Sequence, residues 1–497
     1  MDLATAYENL PTDLLGGLSL VIVSLAGLVM VVWDAFRPAA RGIPWLAILA
    51  LAGALAWEFI TLTFDQGLIF WGLNRAGGFA SFVNIVILAG ALLTILLSVS
   101  YLRRIGHPEG EVYSLLMLAT AGMIVLASAN HLISIFVGLE TMSVALYVLA
   151  GLIREDEGGT EAALKYFLLG AFSTGFFLYG MALLYGATGT MYLPLMADGL
   201  LLNKSPVMFW SGTGLFLIGF MFKISAAPFH MWTPDVYQGA PTPLSGFMST
   251  ASKAAAFASL TLVLVFALPP ERWSNVFAVI AVITMVVGNV LALAQSNVKR
   301  MLAYSSIAHA GYVLVGLAAG TGAGYAGALI YLLVYTLMNV GAFGVMAYLE
   351  WDGKVGREQT LNSLAGIGLR RPLLGIVMGV FMFSLAGFPP FAGFNGKVAI
   401  FAPAIDAGLT WLVIVGVLTS VLSAGYYLRV LWVFWMKSPE DTPEAAQTRE
   451  YAFPVPRAAA VALIACAGLL VVLGFVPALY ETTNAFFGTT AGLATLP

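Results

Sequence analysis

The sequence predicts an all-α integral membrane protein that crosses the bilayer about fourteen times. Composition is the first observation: 60% of the 497 residues are hydrophobic and only 9% are charged, and the mean hydropathy is +0.93. Soluble domains carry charge on about a quarter of their residues, so this chain cannot build a solvated surface. The second observation is a series of apolar runs, each of about 20 residues and long enough to span the hydrocarbon core.

Composition also excludes several classes of function. The net charge of -3, without a dense basic cluster, argues against binding to nucleic acid. A single cysteine, Cys466, excludes a disulfide framework and a CxxC site. The four histidines are scattered, and the GxGxxG match at Gly322–Gly327 has no strand before it, which is the wrong context for a nucleotide fold. We therefore predict no cofactor, redox or metal site in this chain.

The apolar runs predict the individual spans. We expect them at residues 14–33, 43–64, 80–101, 112–128, 130–153, 162–186, 206–238, 242–268, 274–297, 302–320, 322–350, 373–405, 410–436 and 456–480. The runs at 206–238 and 373–405 are too long for one straight helix, and each contains proline near its middle. Proline removes a backbone donor and clashes with the preceding turn, so both are predicted to be broken helices.

The basic residues of alternate loops predict the orientation. One side of the membrane receives Arg37, Arg41, Arg103, Arg104, Arg154, Lys299, Arg300, Lys354, Arg357, Arg370, Arg371, Lys437 and Arg449. The other side receives only Arg75, Lys204 and Arg272. Because cytoplasmic loops carry the excess of Lys and Arg, the first side is predicted to be cytoplasmic and both termini to face outward.

The two broken helices predict an internal repeat. We divide the chain into an N-terminal three-helix segment (1–108), two five-helix repeats (109–270 and 271–440) and a C-terminal helix (441–497). The two repeats begin at opposite faces of the membrane, and each has its broken helix fourth in order. Such inverted repeats are typical of transporters, in which broken helices mark the ion path near the midplane.

Charged residues within the spans are the candidate functional residues. Glu140, Lys223 and Lys253 lie mid-span, and Lys397 follows the second break. A charge at the bilayer centre costs from about 2.5 to well over 10 kcal/mol, so these residues must face the protein interior or water. Lysine can take up and release a proton when a neighbouring charge changes, whereas arginine stays charged. We therefore predict that these four residues translocate protons, the alternative being purely structural buried pairs.

Three further residues are ambiguous. Lys165, near the start of its span, is either a relay or a side chain that extends to the membrane surface. His309 is either a proton relay or a hydrogen-bonded core histidine. His230 follows the first break, where it either relays protons or satisfies the backbone carbonyls that Pro228 frees.

At these residues the chain resembles a known family. The segment Phe222–Pro243 is similar to the characteristic motif of the antiporter-like subunits of respiratory complex I. Its form Trp-Thr-Pro-Asp-Val-Tyr, followed by Gly-Ala-Pro, resembles the subunit N branch more than L and M. Three further segments agree, namely Val137–Glu140, Lys299–Ser306 and Ala386–Gly393. The resemblance covers nearly the whole chain.

The resemblance implies a proton-translocating subunit in the membrane arm of an NADH-quinone oxidoreductase. In that family the residues that match Glu140 and Lys223 form a coupled pair. Lys253 matches the central relay, and Lys397 matches the lysine that leads towards the outer face. The resemblance thus implies a role for each of the four charges within the spans.

The resemblance also implies partners and a location. NAD, FMN, iron–sulfur clusters and quinone belong to partner subunits, and the nearest partners are the antiporter-like subunit M and the small membrane subunits. The location is the bacterial inner (plasma) membrane. Two alternatives stay open: a subunit of a multisubunit cation/proton antiporter, which shares the lysine pattern, and a structural or quinone-site membrane subunit.

Overall fold

The computed structural model describes residues 12–37, 41–63, 67–153, 156–202, 205–268, 270–350, 359–438 and 455–476. Within these ranges the chain is almost entirely helical. Five of the basic residues used to predict the orientation lie outside the described residues, namely Arg154, Lys204, Lys354, Arg357 and Arg449.

The chain begins with three long helices and one small sheet. The helices are α1 (Leu18–Phe36), α2 (Ile43–Thr61) and α3 (Gly78–Arg104). Between α2 and α3 lies an antiparallel hairpin, β1 (Gly67–Ile69) and β2 (Asn74–Ala76).

The two repeats follow. The first contains α4 (Glu109–Ala127), α5 (Leu132–Ala150), α6 (Glu157–Thr188), the short α7 (Leu193–Leu202), α8 (Pro206–Lys223), α9 (Trp232–Gly239) and α10 (Thr242–Phe266). The second contains α11 (Pro270–Leu293), α12 (Val298–Ala318), α13 (Gly322–Leu349), the short α14 (Ile367–Arg370), α15 (Pro372–Ala386), α16 (Ala392–Asp406) and α17 (Thr410–Trp435). The last described helix is α18 (Arg457–Phe475).

The predicted fold class is confirmed. In the described part of the chain 13 helices are long and apolar enough to cross a membrane, or up to 14 if the sharply bent pair Asn362–Arg370 and Pro372–Ala386 counts as one span. Each repeat has one broken helix, α8–α9 in the first and α15–α16 in the second. The division of the chain at residues 108, 270 and 440 stays a prediction.

Both breaks occur where the sequence predicted them. Helix α8 ends at Lys223 and α9 begins at Trp232, with Pro228 between them. Helix α15 ends at Ala386, and the next residue, Gly387, adopts a positive φ of 84°. Glycine takes this left-handed conformation without the steric cost of a Cβ atom, so Gly387 lets the chain turn away before Pro389.

Small residues set the closest helix crossings. A Cβ atom at Gly122 would lie 2.5 Å from the backbone N of Met142, and one at Gly138 would lie 2.5 Å from the N of Leu126. Helices α4 and α5 can therefore cross backbone to backbone, as in small-residue crossings of membrane helices. The crossing fixes the position of α5, which carries Glu140.

Backbone hydrogen bonds join the hairpin to the loop between α4 and α5 at one end of the bundle. The sequence did not predict this feature. The Arg75 N–H donates to Ser128 O at 2.8 Å, and the Asn130 N–H donates to Leu73 O at 2.8 Å. The Arg75 side chain is buried, donates to Asn130 Oδ1 at 2.5 Å and lies 4.0 Å from the centre of the Phe266 ring. Burial lowers the pKa of Arg75 to about 10, which still leaves it charged at neutral pH.

The α4–α5 crossing predicts the effect of a large side chain at Gly138. In Gly138→Leu the new side chain must push the helices apart, and such overpacking costs about 1–3 kcal/mol. We expect a clear loss of assembled protein, measured by native gel and by thermal inactivation. Gly214→Leu is the matched control, because a Cβ atom there meets nothing within 4 Å. Equal yields of the two variants would contradict the prediction.

Candidate proton-transfer site

Lys223 is held at the first helix break by hydroxyl groups and aromatic rings. Its side chain is only 2% exposed. Its Nζ donates to Ser143 Oγ at 2.7 Å and, more weakly, to Tyr166 OH at 3.4 Å. The centres of the Tyr147 and Tyr166 rings lie 5.6 and 5.2 Å from Nζ, a distance at which aromatic faces attract a cation.

Glu140 lies near Lys223 without forming a direct ion pair. Among the ion pairs of the described residues, none joins the two side chains within 4.0 Å. Instead, Glu140 accepts a hydrogen bond from Thr174 Oγ1 at 2.7 Å, and Lys223 binds Ser143, three residues further along α5. A cavity of about 10 Å³ touches both Thr174 and Lys223, close to the space that one water needs.

The sequence predicted that Glu140 is buried, and the structure corrects this. Glu140 is half-buried, and its neighbours on the outer side of α5 and α6 are exposed apolar residues, namely Val137, Val144, Val148 and Phe172. The reason is the periodicity of helix α5. Ser143 and Tyr147 lie on its inner face and are buried, whereas Glu140 lies towards its outer face.

Trp232 packs at the first helix break and hydrogen-bonds to its backbone. Its Nε1 donates to Phe222 O at 3.0 Å, and its ring stacks on Tyr166 with 4.5 Å between ring centres. The sequence left open whether His230 relays protons or satisfies the freed carbonyls. In the structure His230 has a hydrogen bond with the backbone of Pro228, whereas its Nδ1 has no hydrogen-bond partner among the described residues. The indole supplies a donor at the break, and the relay role of His230 stays a prediction.

Lys253 is buried in α10 without a carboxylate partner among the described residues. Its Nζ donates to the carbonyl oxygen of Ser306 at 3.0 Å and to its hydroxyl at 2.6 Å. A buried ammonium needs such acceptors, because each unmade hydrogen bond carries the full desolvation cost. Ser306 on α12 is therefore a site residue that the sequence did not single out.

Aromatic side chains separate Lys223 from Lys253. Tyr166 lies against Lys223 and stacks on Trp232, and Trp232 meets Tyr237 edge to face at 5.8 Å. The Tyr237 ring lies 6.0 Å from Lys253 Nζ. The three rings are buried, and their contacts form a series of aromatic rings, here called the aromatic layer, between the two ammonium groups.

A polar line continues from Lys253 to Lys397 through α12. His309 follows Ser306 by about one helical turn. Its Nδ1 lies 2.6 Å from Tyr331 OH, and its Nε2 lies 2.9 Å from Tyr427 OH. The next turn brings Tyr312, whose ring centre is 5.5 Å from His309 and 5.1 Å from Lys397 Nζ. Both ring nitrogens of His309 therefore have hydroxyl partners, as a core histidine and a relay both require.

Lys397 uses the second break directly. Its Nζ donates to Leu385 O at 3.1 Å, Ala386 O at 2.9 Å and Ser420 Oγ at 2.7 Å. The two carbonyls belong to the last residues of α15 and have lost their helical partners because the helix ends there. The broken helix thus supplies acceptors to the ammonium group.

A cavity of about 450 Å³ opens beside Lys397. Apart from Lys397 and Ser420, its lining is apolar, and it includes Phe388, Phe394, Val417 and Val421. Because several of these side chains are exposed, the cavity connects Lys397 to the outside of the helix bundle.

Lys165 lies apart from this line. Its Nζ contacts Asp235 at 2.7 Å and Glu161 at 2.5 Å, and Arg300 contacts the other Asp235 oxygen at 2.6 Å. Its side chain is 41% exposed, which agrees with the position near a helix end that the sequence suggested. Its relay role stays a prediction.

Lys299 and Glu350 form a buried ion pair that the sequence did not single out, with Nζ and Oε1 3.5 Å apart. Thr242 also donates to this carboxylate. The sequence placed Lys299 in a loop, whereas the structure begins α12 at Val298 and buries the lysine. The sequence did contain a signal for this pair, because Glu350 is a carboxylate at the end of an apolar run.

Comparisons with known proteins show the family of this chain. The family described as "NADH:quinone oxidoreductase/Mrp antiporter, TM" matches residues 129–423. NADH-quinone oxidoreductase subunit N of Salinibacter ruber is 62% identical over 100% of both chains. The chain belongs to the subunit N family. A second member, from Trichlorobacter lovleyi, is 45% identical over 92% of this chain and 93% of its own length.

Solved structures extend the comparison. A chain of respiratory complex I from Thermus thermophilus is 39% identical, with a TM-score of 0.78 over 93% of this chain and 98% of that chain. A chain of the Mrp complex from Dietzia shares the fold at 20% identity, with a TM-score of 0.84 over 97% of this chain and 98% of that chain.

Membership of the subunit N family confirms the predicted class of function: a proton-translocating membrane subunit of an NADH-quinone oxidoreductase. Subunit N chains are multi-pass membrane proteins, and the similar solved chains come from multisubunit assemblies, so this chain has membrane subunits as partners.

The contact between Lys253 and Ser306 predicts the effect of removing one hydroxyl. Ser306→Ala leaves the ammonium with one acceptor fewer, and a hydrogen bond to a charged group contributes about 1.5–3 kcal/mol. We expect a lower midpoint of thermal inactivation for the assembled complex. Ser259→Ala is the matched control, because the Ser259 hydroxyl lies on the same helix as Lys253 and is buried without a hydrogen-bond partner in the described part of the chain. A loss as small in Ser306→Ala as in Ser259→Ala would argue against a charged Lys253.

Proposed function

We propose that this chain carries protons across the bacterial inner membrane through Glu140, Lys223, Lys253 and Lys397, driven by redox chemistry in other subunits. The observation that carries the proposal is the polar line from Lys253 through His309 to Lys397, which lies inside a bundle of apolar helices. Polar and ionisable groups are costly in a membrane, and a purely structural subunit has no need of a continuous series.

The lysines act as proton carriers whose charge responds to their neighbours. A positive or negative charge that arrives near an ammonium group changes its proton affinity, and a shift of one pKa unit is worth about 1.36 kcal/mol. Moving a proton against roughly 180 mV costs about 4 kcal/mol, scaling from about 2.3 kcal/mol per 100 mV. Coupling between neighbouring buried charges therefore has the required magnitude.

His309 gives the line a group that can pass a proton on. A neutral imidazole accepts a proton at one nitrogen and releases one from the other, and each nitrogen of His309 faces a tyrosine hydroxyl. Ser306 is about one turn away on the Lys253 side, and Tyr312 is about one turn away on the Lys397 side. We assign His309 to the relay between the two lysines.

The aromatic layer suggests that proton transfer occurs in separate stages. Glu140, Thr174 and Lys223 form one compartment, with space for a single water between Thr174 and Lys223. Lys253, His309 and Lys397 form the other. A change of charge at Lys223 can act on Lys253 across the rings without a proton crossing between them, because electrostatic interactions are weakly screened in a low-dielectric interior.

We assign the redox cofactors to partner subunits. Within the described residues, no group of three or more His, Cys, Asp or Glu side chains could hold a metal ion. We propose that NAD, FMN, iron–sulfur clusters and quinone belong to other chains, and that this chain supplies the membrane part of the oxidoreductase. The predicted orientation, with both termini on the outer side, is part of this proposal.

The face that carries Glu140 is proposed as the contact with another membrane subunit. Glu140 lies half-buried among exposed apolar side chains, and an ionisable group at membrane depth faces protein or water and avoids lipid. A neighbouring subunit can complete this burial. We name the antiporter-like subunit M and the small membrane subunits as the candidate partners.

The alternative of a multisubunit cation/proton antiporter shares the fold, as the chain of the Mrp complex shows. The 62% identity to a subunit N chain over the whole length of both chains favours the oxidoreductase. We expect co-purification with iron–sulfur subunits, and cation transport in their absence would contradict this assignment.

Replacement of Lys253 tests the pumping role. Lys253→Met keeps the length of the side chain and removes the titratable group, so assembly should survive, because replacing a buried charge with an apolar group is often tolerated. We expect NADH oxidation to remain measurable. The proton-to-electron ratio of the reconstituted complex should fall by at least the fraction of the pumped protons that this subunit carries.

Lys253→Arg is the companion variant, and it should fail as well because arginine does not release its proton. A wild-type proton-to-electron ratio in assembled Lys253→Met complex would refute the relay role of Lys253.

Photo-crosslinking tests the proposed interface. A photoreactive amino acid at Val144, which is 56% exposed and about one turn from Glu140, should form a covalent product with another subunit in the intact complex. Mass spectrometry of the product identifies the partner. Adducts with lipid alone would show that this face borders the bilayer.

A further inference from the structure

Glu58 is a buried carboxyl group outside the two repeats. It lies near the end of α2, in the N-terminal three-helix segment, and is only 3% exposed. Glu58 belongs to no ion pair within 4.0 Å among the described residues. A buried carboxylate without a cation is costly, so such a group tends to bind a proton.

Four neutral side chains surround this carboxyl. Ser19 and Asn84 Nδ2 both donate to Glu58 Oε1, the latter at 2.9 Å. Thr61 Oγ1 lies 3.2 Å from Glu58 Oε2 and 2.8 Å from Ser81 Oγ. We call these five residues the Glu58 cluster; they come from α1, α2 and α3.

Asn84 allows the cluster to hydrogen-bond Glu58 in both its ionised and its protonated form. Its Oδ1 is a buried acceptor without a donor among the described residues, whereas its Nδ2 donates to Glu58. Rotation of the amide by half a turn exchanges the two atoms, so that Oδ1 can accept the O–H of a protonated Glu58. The hydroxyls of Ser19 and Thr61 can also donate or accept. The cluster can thus satisfy both protonation states.

The hydroxyls of Thr61 and Ser81, which are themselves only 3% and 1% exposed, lie towards one end of the bundle. Thr61 is the last residue of α2, about 4.5 Å further along the axis than Glu58, and Ser81 lies in the first turn of α3, directly after the hairpin. Thr63, which follows the end of α2, is exposed. The line Glu58, Thr61, Ser81 therefore runs towards the face of the bundle that carries β1 and β2.

Other titratable groups on the packed helices lie mostly far away. Ser19 is near the start of α1 and Asn84 near the start of α3. The titratable groups towards the opposite helix ends are therefore roughly 20 Å or more from Glu58. These groups are Asp34, Arg103, Arg104, Glu109, Glu111, Tyr101 and Tyr113. At the near end lie Asp13, which accepts from the Phe70 N–H at 2.9 Å, and Arg75, which binds Asn130. Neutral side chains thus make every hydrogen bond of the Glu58 carboxyl in the described part of the chain.

We propose that Glu58 is a second proton-binding site, which exchanges its proton with the aqueous phase at the hairpin face through Thr61 and Ser81. The carboxyl O–H passes its proton to Thr61 Oγ, Thr61 passes its own hydroxyl proton to Ser81, and Ser81 passes one to water. One proton leaves, and both hydroxyls stay neutral. The site is separate from the line of lysines and does not depend on their proposed role.

Infrared difference spectroscopy of the intact complex between two pH values tests the proposal. The wild type should show a carboxyl C=O band of buried acids, and the Glu58→Gln spectrum should lack the component that Glu58 contributes, seen as a difference between the two spectra. Glu111→Gln is the matched control, because Glu111 is an exposed carboxylate at the start of α4, and it should retain the band. An unchanged spectrum in Glu58→Gln would overturn the proposal.

Two further variants keep the test decisive. Glu58→Asp retains a carboxyl group and should shift the band without removing it, which serves if Glu58→Gln does not assemble. Thr61→Val removes the hydroxyl and keeps the shape of the side chain. It should leave the final amplitude of the band unchanged and slow its appearance after a pH jump several-fold. An unchanged rate would overturn the route through Thr61.

Discussion

An ammonium group inside the hydrocarbon core needs acceptors that the protein itself supplies, and this constraint shapes most of the structure. A continuous helix has no spare carbonyls, because each is bonded to the N–H four residues later. Lys397 obtains two carbonyls because α15 ends at Ala386. Lys223 is the last residue of α8 and contacts Tyr166 of α6, and Trp232, which lies beyond the break, stacks on that tyrosine ring. The prolines that break the helices are therefore part of the machinery that holds charge in the membrane.

The central lysine is held differently. Lys253 lies inside an unbroken helix, and both of its acceptors come from one residue, Ser306, on another helix. With a single residue holding it, Lys253 is the least constrained of the three ammonium groups. Such a group can respond to changes of charge near Lys223 or near Lys397. Lys397 itself has three acceptors and is fixed more firmly.

The spans, the breaks and the charged residues within the spans could be predicted from the sequence, because length, apolarity and proline act locally. The partners of those charges could not. Ser306 reaches Lys253, and Tyr166 reaches Lys223, only through the packing of other helices. Ser306 and Trp232 lie in segments that carry the family resemblance, but the sequence alone does not say which groups they contact. Glu58 was visible as a charge near a span end, where extension to the surface is the ordinary expectation. Its burial depends on Ser19 and Asn84, which lie in other helices.

The aromatic rings between Lys223 and Lys253 also bear on what the subunit must prevent. A membrane that stores energy as a voltage loses it through any continuous file of water. Tyr166, Trp232 and Tyr237 are buried and contact one another by face and edge. Space that these rings fill is not available to water, so at this position the packing of the helices opposes leakage as well as holding the two ammonium groups apart.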